Sequence, residues 1–331
     1  MSNLRDLISN ITSKNVYIQT HNFPDPDAVA SAFGLQCLLK TYNIEATICY
    51  KGKIDRHNTR KMMELFDIKA VNVDRILTLP AATQIILIDA QKNSGNVVDL
   101  PCENVISIDH HPVAQYYPYT CADIRGNVGA CASIIASYYF ENEIPMSEEV
   151  ATALLYGIKI DTAHMTRGVS PLDLEMFSKM FFMSNVKYMN ELESSTVELE
   201  DLQAYGSAIS SITIEDYVSF ANTGRDCPEA LIAEIADFMV AVKGVHLAVV
   251  YSVRTEGIKI SIRSDKKSRC HAGQIAVEAL EGIGTGGGHE LMAGGYISFR
   301  NIIESLDTLL EIMRENFKKA VANHLHIENA N

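Results

Sequence analysis

Four short apolar runs in the first half of this chain each stop at an aspartate or a histidine. Val16-Tyr17-Ile18-Gln19-Thr20 runs into His21, with Asp25 and Asp27 just beyond. Ile85-Ile86-Leu87-Ile88 stops at Asp89, and Val105-Ile106-Ser107-Ile108 at Asp109-His110-His111. Tyr156-Gly157-Ile158-Lys159-Ile160 stops at Asp161. Runs of this length and apolarity read as strands of a parallel sheet, which are buried on both faces and tolerate ionisable groups only at the C-terminal edge. Open α/β sheets bind ligands at that edge. The pattern therefore predicts an α/β fold with Asp and His gathered along one side, a cage for hard or borderline divalent cations.

The rest of the chain fits this frame. Residues 1 to about 185 alternate short apolar runs with helical patterns, as βαβ units of a mainly parallel, doubly wound sheet do. Ser147 reads as the N-cap of a helix with carboxylates in its first turn. An acidic helical stretch (Glu191, Glu193, Glu198, Glu200, Asp201) reads as a linker over 186–205. Beyond it, 206–331 reads as a smaller α/β domain. Its signals are a hairpin of Leu247–Arg254 and Gly257–Arg263 turning at Thr255-Glu256, an amphipathic helix over Leu306–Lys318, and a frayed tail from His324. At 331 residues the chain is long enough for two such domains.

Composition excludes several function classes. A net charge of −13 is the wrong sign for wrapping long duplex nucleic acid, which needs a basic face. The seven cysteines are scattered without a CxxC and read as reduced, buried thiols. No run approaches a membrane span and no apolar leader is present, so a cytoplasmic location is expected.

The stretch His21-Asn22-Phe23-Pro24-Asp25-Pro26-Asp27 is the most specific single motif. Its prolines hold the preceding residues extended, predicting a rigid, non-helical loop that aims Asp25 and Asp27 differently, with Asp27 also suited to cap the helix that follows. Carboxylates with imidazoles and no thiolate suit Mn²⁺, with Mg²⁺ or Co²⁺ as alternatives, better than a structural Zn²⁺ site. Two such ions about 3.5–4 Å apart can activate a water and stabilise the leaving oxygen of a phosphoryl displacement.

In this order, HNFPDPDA, ILIDA, SIDHHP and GIKIDT resemble the four motifs of the DHH phosphoesterase superfamily. Gly286-Gly287-Gly288-His289, followed by Ala293-Gly294-Gly295, resembles the signature of the DHH-associated substrate-binding domain, and Lys259 to Ser264 the strand before it. Within the superfamily the chain most resembles the bacterial nanoRNase/pAp-phosphatase group, the oligoribonuclease, RecJ-like branch. The resemblance implies that His21 and Asp25 hold one Mn²⁺, that Asp27, His110 and Asp161 hold the other, and that Asp89 bridges both. It implies a supporting role for Asp109 and places His111 at the scissile phosphate. It assigns substrate contacts to Arg263, Ser264, Gly286, Gly287, Gly288, His289 and Arg167, and the spacing of His164 and Arg167, three and six residues after Asp161, suits both to line the same cleft.

The expected activity is two-metal hydrolysis of short oligoribonucleotides, with the 3′-phosphate of pAp as a second substrate, in a cleft closed between the two domains. Lys266, Lys267 and Arg269 form a small basic loop suited to steering an anion. Hydrolysis of cyclic di-AMP or pApA is the alternative within the class, and a silent nucleotide-binding regulator the alternative outside it. A family II pyrophosphatase fits less well, because its second domain carries a basic cluster in place of Gly-Gly-Gly-His. The oligomeric state is open, with a homodimer allowed.

Overall fold

The computed structural model describes residues 4–328 apart from 55, 77, 81, 114, 195–198, 200, 266–269 and 302–303. The basic loop of Lys266, Lys267 and Arg269 thus lies outside the described residues, as do Glu198 and Glu200. The chain divides into two compact units, residues 1–196 and 197–331.

The first unit opens with a short helix, α1 (Leu4–Ser9), and then lays down β1 (Val16–Gln19), α2 (Pro26–Thr41), β2 (Ala46–Tyr50), α3 (His57–Leu65) and β3 (Ala70–Asn72). Three strands follow without an intervening helix: β4 (Gln84–Ile88), β5 (Val105–Asp109) and β6 (Cys121–Ile124). Four helices complete the unit: α4 (Cys131–Glu141), α5 (Glu148–Asp161), α6 (Pro171–Phe181) and α7 (Val186–Glu193).

All six strands are parallel, in the order β3-β2-β1-β4-β5-β6. The order reverses between β1 and β4, and such a switch point leaves a crevice at the C-terminal ends of the flanking strands. Ile86, Ile88, Ile106 and Ile108 join the main core with α2, α4 and α5. The alternate residues Ile85, Leu87 and Val105 form a separate cluster with Val97, Leu100 and the rings of Tyr117 and Tyr119, which come from loops.

The segment Tyr156–Ile160 is helical. α5 starts at the Ser147 cap, whose side chain accepts from Val150 N–H, and runs on through Asp161. Every residue from Val150 to Ile158 is buried. A helix buried on all sides loses its polar stripe, and its Tyr-Gly-Ile-Lys-Ile stretch then imitates the alternation of a strand. Gly157 serves a close crossing: a Cβ there would lie 3.0 Å from Asp27 Oδ1 and 3.2 Å from the Cβ atoms of Ala30 and Ala132.

In the second unit α8 (Asp201–Ser211), β7 (Thr213–Glu215), β8 (Val218–Arg225), α9 (Glu229–Val240), β9 (Leu247–Arg254) and β10 (Gly257–Ser264) come first. α10 (Ala272–Leu280), β11 (Thr285–Gly288), β12 (Met292–Ser298) and α11 (Leu306–Glu328) follow. The sheet order is β11-β12-β10-β9-β8-β7, antiparallel except for β8 beside β9. Ile258, Ile260 and Ile262 pack toward α10 and α11, while Ala248 and Val250 pack toward α9. The stretch from His324 continues α11 to Glu328 and is not a separate tail.

Within 186–205, α7 buries Leu192 in the first unit's core and α8 buries Ala204 in the second's.

Candidate metal centre

The C-terminal ends of β1, β4 and β5 flank the switch point, and each delivers its expected side chain there. Asp89 follows β4 with a left-handed backbone, φ 56°, a conformation that Asp tolerates better than most residues. Its carboxylate faces both neighbouring strands. His21 Nε2 lies 3.6 Å from Oδ2 and His110 Nε2 3.3 Å from Oδ1. Asp25 Oδ1 is 3.8 Å from His21 Nε2, and Asp161 Oδ2 is 3.2 Å from His110 Nε2. Ligating atoms of His21, Asp25 and Asp89 lie within 4.8 Å of one another, as do those of Asp27, His110 and Asp161.

Both imidazoles are turned the same way. His21 Nδ1 lies 2.8 Å from the Asn22 carbonyl and His110 Nδ1 3.2 Å from the Val128 carbonyl. A carbonyl can only accept, so the proton sits on Nδ1 and Nε2 faces the carboxylates, the arrangement in which a histidine presents its lone pair to a metal.

The loop chemistry differs from the expected extended turn. Asp25 is the residue that caps α2, its Oδ1 accepting from Asp27 N–H at 3.0 Å and Ala28 N–H at 3.1 Å. Pro26 opens the helix, where a missing N–H costs nothing, so Asp27 already lies in the first helical turn. Asp27 caps a different helix. Its Oδ2 accepts from Cys131 N–H at 2.8 Å and its Oδ1 from Ala132 N–H at 2.9 Å, the first amides of α4.

Asp161 ends α5, where the helix dipole disfavours an anion. Burial, then the charges of Asp25 and Asp89, push its carboxyl up to about 6. Burial works against charging the two imidazoles, but the carboxylates around them prevail. Asp25 and Asp89 hold His21 up at about 9, and Asp89, Asp27 and Asp161 hold His110 up at about 11. The cluster is thus four carboxylates converging on two imidazoles, short of positive charge. Asp89 Oδ1 is buried and makes no hydrogen bond. A carboxylate set between two imidazoles whose Nε2 protons can give way to a cation fits divalent ions, the more so because the donors are all O and N.

Asp109 sits outside this ring and organises its edge. Oδ1 accepts from the backbone N–H of His110 at 2.8 Å and of His111 at 3.2 Å, and lies 2.9 Å from His111 Nδ1. Oδ2 accepts from Gln91 Nε2 at 2.7 Å. The His111 side chain is 44% exposed. Its hydrogen bond to Asp109 raises its pKa against the opposing effect of burial. Arg167 reaches back from the turn after α5, its Nη2 donating to the Asp161 carbonyl at 3.2 Å. His164 is exposed on the same turn.

Two residues of this environment lie outside the sequence motifs. Gln91 ties Asp109 to the His111 carbonyl. Asp173, 12 residues past Asp161 in the chain, accepts from Gly129 N–H at 2.8 Å, Ser170 N–H at 2.7 Å and the hydroxyls of Ser133 and Ser170. It pins the stretch that supplies both the Val128 carbonyl and the α4 amides. A capping box at Ser170 and Asp173 is readable from spacing, but its reach to Gly129 is not.

In the second unit the glycines form strand β11, paired with β12 through Gly286–Gly295 and Gly288–Ala293. Gly286 and Gly288 are needed for packing: a Cβ would meet the Ala276 carbonyl at 2.6 Å and the Met292 carbonyl at 2.4 Å respectively. Gly287 faces open space and helps line a pocket with His271, Gln274 and Gly288 on the α10 side. His289 is exposed at the end of β11. Arg263 lies on the other face of the sheet, its Nε donating to Asp237 of α9 at 2.8 Å, and the neighbouring Ser264 is buried.

Comparison with known proteins finds two domain families along the chain. The family model described as the DHH family, N-terminal domain, matches residues 15–158, and the DHHA1 domain matches residues 215–319. The chain belongs to the DHH superfamily of phosphoesterases.

An uncharacterized protein of Methanocaldococcus jannaschii is 31% identical over 285 residues, 85% of this chain and 57% of that protein, so this chain spans little more than half its length. A bifunctional oligoribonuclease and PAP phosphatase of Thermus thermophilus is 25% identical over 92% of this chain and 91% of its own. A probable manganese-dependent inorganic pyrophosphatase of Streptococcus thermophilus is 23% identical, over 62% of this chain and 73% of its own. Among solved structures, an exopolyphosphatase-related protein of Bacteroides fragilis shares the fold, with a TM-score of 0.75 over 96% of both chains at 17% identity.

Proposed function

We propose that this DHH phosphoesterase is a two-metal, Mn²⁺-dependent hydrolase of short oligoribonucleotides, and that it also removes the 3′-phosphate of pAp. The observation that carries the reading is the buried Asp89 carboxylate. It is set between a His21–Asp25 group and an Asp27–His110–Asp161 group, with one oxygen unpartnered. Two cations there would supply the positive charge that lowers the pKa of an attacking water and neutralises the leaving oxygen.

The chain's own part is orientation. Backbone carbonyls keep His21 and His110 in the tautomer that aims Nε2 at the carboxylates. Asp109 holds His111 through Nδ1, which leaves Nε2 as the nitrogen to donate a hydrogen bond to a phosphoryl oxygen or the leaving group. Arg167, fastened beside Asp161, offers a bidentate partner for a second phosphate.

We assign residues 1–185 to metal binding and catalysis, 186–205 to a linker, and 206–331 to holding substrate through Gly287, His289 and the pocket beside them. Arg263, held by Asp237 on the opposite face of the sheet, stands apart from that pocket. The near full-length match to the Thermus thermophilus enzyme supports the substrate class, and the pyrophosphatase match supports manganese. No helix among the described residues is long and apolar enough to cross a membrane.

The test is turnover with Mn²⁺ against pApA, a short RNA, pAp, cyclic di-AMP, a long RNA and pyrophosphate. We expect pApA and the short RNA to lead, with pAp next. Cyclic di-AMP or pyrophosphate as the best substrate would overturn the assignment, and no turnover with metal bound would point to a regulator.

A further inference from the structure

Phe23 stands between His21 and Asp25, yet its side chain is 58% exposed while its neighbours serve a sheltered cluster. Its backbone is left-handed, φ 55°, which a bulky residue adopts only where its surroundings enforce it. Two contacts do so. Phe23 N–H donates to the Lys51 carbonyl at 2.8 Å, tying the motif to the loop after β2. The ring packs on Gly52, where a Cβ would lie 2.7–3.0 Å from three ring carbons. Gly52 has φ 88° and its carbonyl accepts from Asn72 Nδ2 at 2.7 Å.

The ring is therefore braced from behind and open in front. Hydrophobic burial does not explain a ring held out of the core beside a cluster of charged side chains. The loop that braces it carries Lys53 and ends at Arg56, the residue before α3. An aromatic face held rigidly beside a cation-binding edge is suited to recognise a nucleotide through its base, by stacking.

We propose that Phe23 is a stacking platform for a nucleobase of the substrate. This rests on the oligoribonucleotide reading and narrows it, assigning base recognition to the first unit at the metal edge. Every base has a π-face, so the platform gives affinity without sequence preference.

The chain contains no tryptophan, so Phe23→Trp introduces the sole indole. AMP should quench its emission saturably, and ribose 5-phosphate should not. Emission indifferent to AMP, or equally changed by ribose 5-phosphate, would overturn the platform. Kinetics give a second readout. In the wild type, kcat/KM for pApA should exceed that for the same backbone lacking bases. Phe23→Ala should shrink that ratio about tenfold or more, mainly through KM, and Phe23→Tyr should restore it. An unchanged ratio in folded, Mn²⁺-loaded Phe23→Ala would also overturn it. If the wild type fails to cleave pApA, the oligoribonucleotide reading fails, while the AMP titration still judges the platform.

Discussion

Asp89 shows how one residue can be legible in a sequence by its position and legible in a structure by its lack of a partner. Its place at the end of Ile85–Ile88 marks it as an edge group, and the left-handed backbone and unpaired Oδ1 show what the edge is for. Asp89→Asn should retain the fold and lose Mn²⁺ affinity and turnover by more than about a hundredfold. Metal content and pApA hydrolysis measured on the same sample check this.

The raised imidazoles give a second expectation. His21 at about 9 and His110 at about 11 stand above their ordinary values, so metal-free protein gains stability from their charge below about pH 6.5 and loses it as pH rises toward 9 and beyond. Asp161, at about 6, contributes loss in the same direction over a lower range. Mn²⁺ must displace those protons, so its affinity rises with pH. The Mn²⁺-induced increase in Tm should therefore be larger at pH 9 than at pH 6. A smaller increase at pH 9 would contradict the protonation assignment.

Elements were harder to read than residues. The strands β1, β4 and β5 were plain because each is a compact apolar run with an abrupt polar end. α5 was misread at its C-terminal part because burial on every side removes the helical stripe, and a parallel-sheet strand shows the same continuous apolarity. The second contact of the Asp27 carboxylate was hidden for another reason: it caps α4, 104 residues away, and no local spacing encodes a cap across the fold. The same holds for Asp173 and Gly129.

Asp173→Ala leaves the Gly129 and Ser170 amides and two hydroxyls without their acceptor, and should cost about 2–5 kcal/mol in urea unfolding. It should also weaken Mn²⁺ binding about tenfold, because Val128, Cys131 and Ala132 move with that stretch. A stability loss with unchanged Mn²⁺ affinity would show that Asp173 braces only α6.

At the scale of the whole molecule, charge was legible and domain chemistry only partly so. The net charge of −13 implies repulsion that grows with the number of phosphates a substrate brings. A long single-stranded RNA should therefore be cleaved with lower kcat/KM than pApA, and the gap should narrow as salt is raised from about 0.05 to 0.3 M. A long RNA preferred at low salt would contradict this. The glycine signature pointed to the right segment, but two of its three glycines are required by strand packing against α10 and β12. Arg263 is held by Asp237 on the opposite face from the Gly287 pocket. Neither fact follows from a motif, because both depend on which face of the sheet a residue occupies.

The most direct test of the central claim is a calorimetric titration of Mn²⁺ into metal-free wild type and Asp89→Ala at pH 8. Two ions per chain in the wild type, with both sites weakened together in the variant, is the result expected of a carboxylate shared between two cations. Two sites of unchanged affinity in Asp89→Ala, or a single site in the wild type, would contradict it.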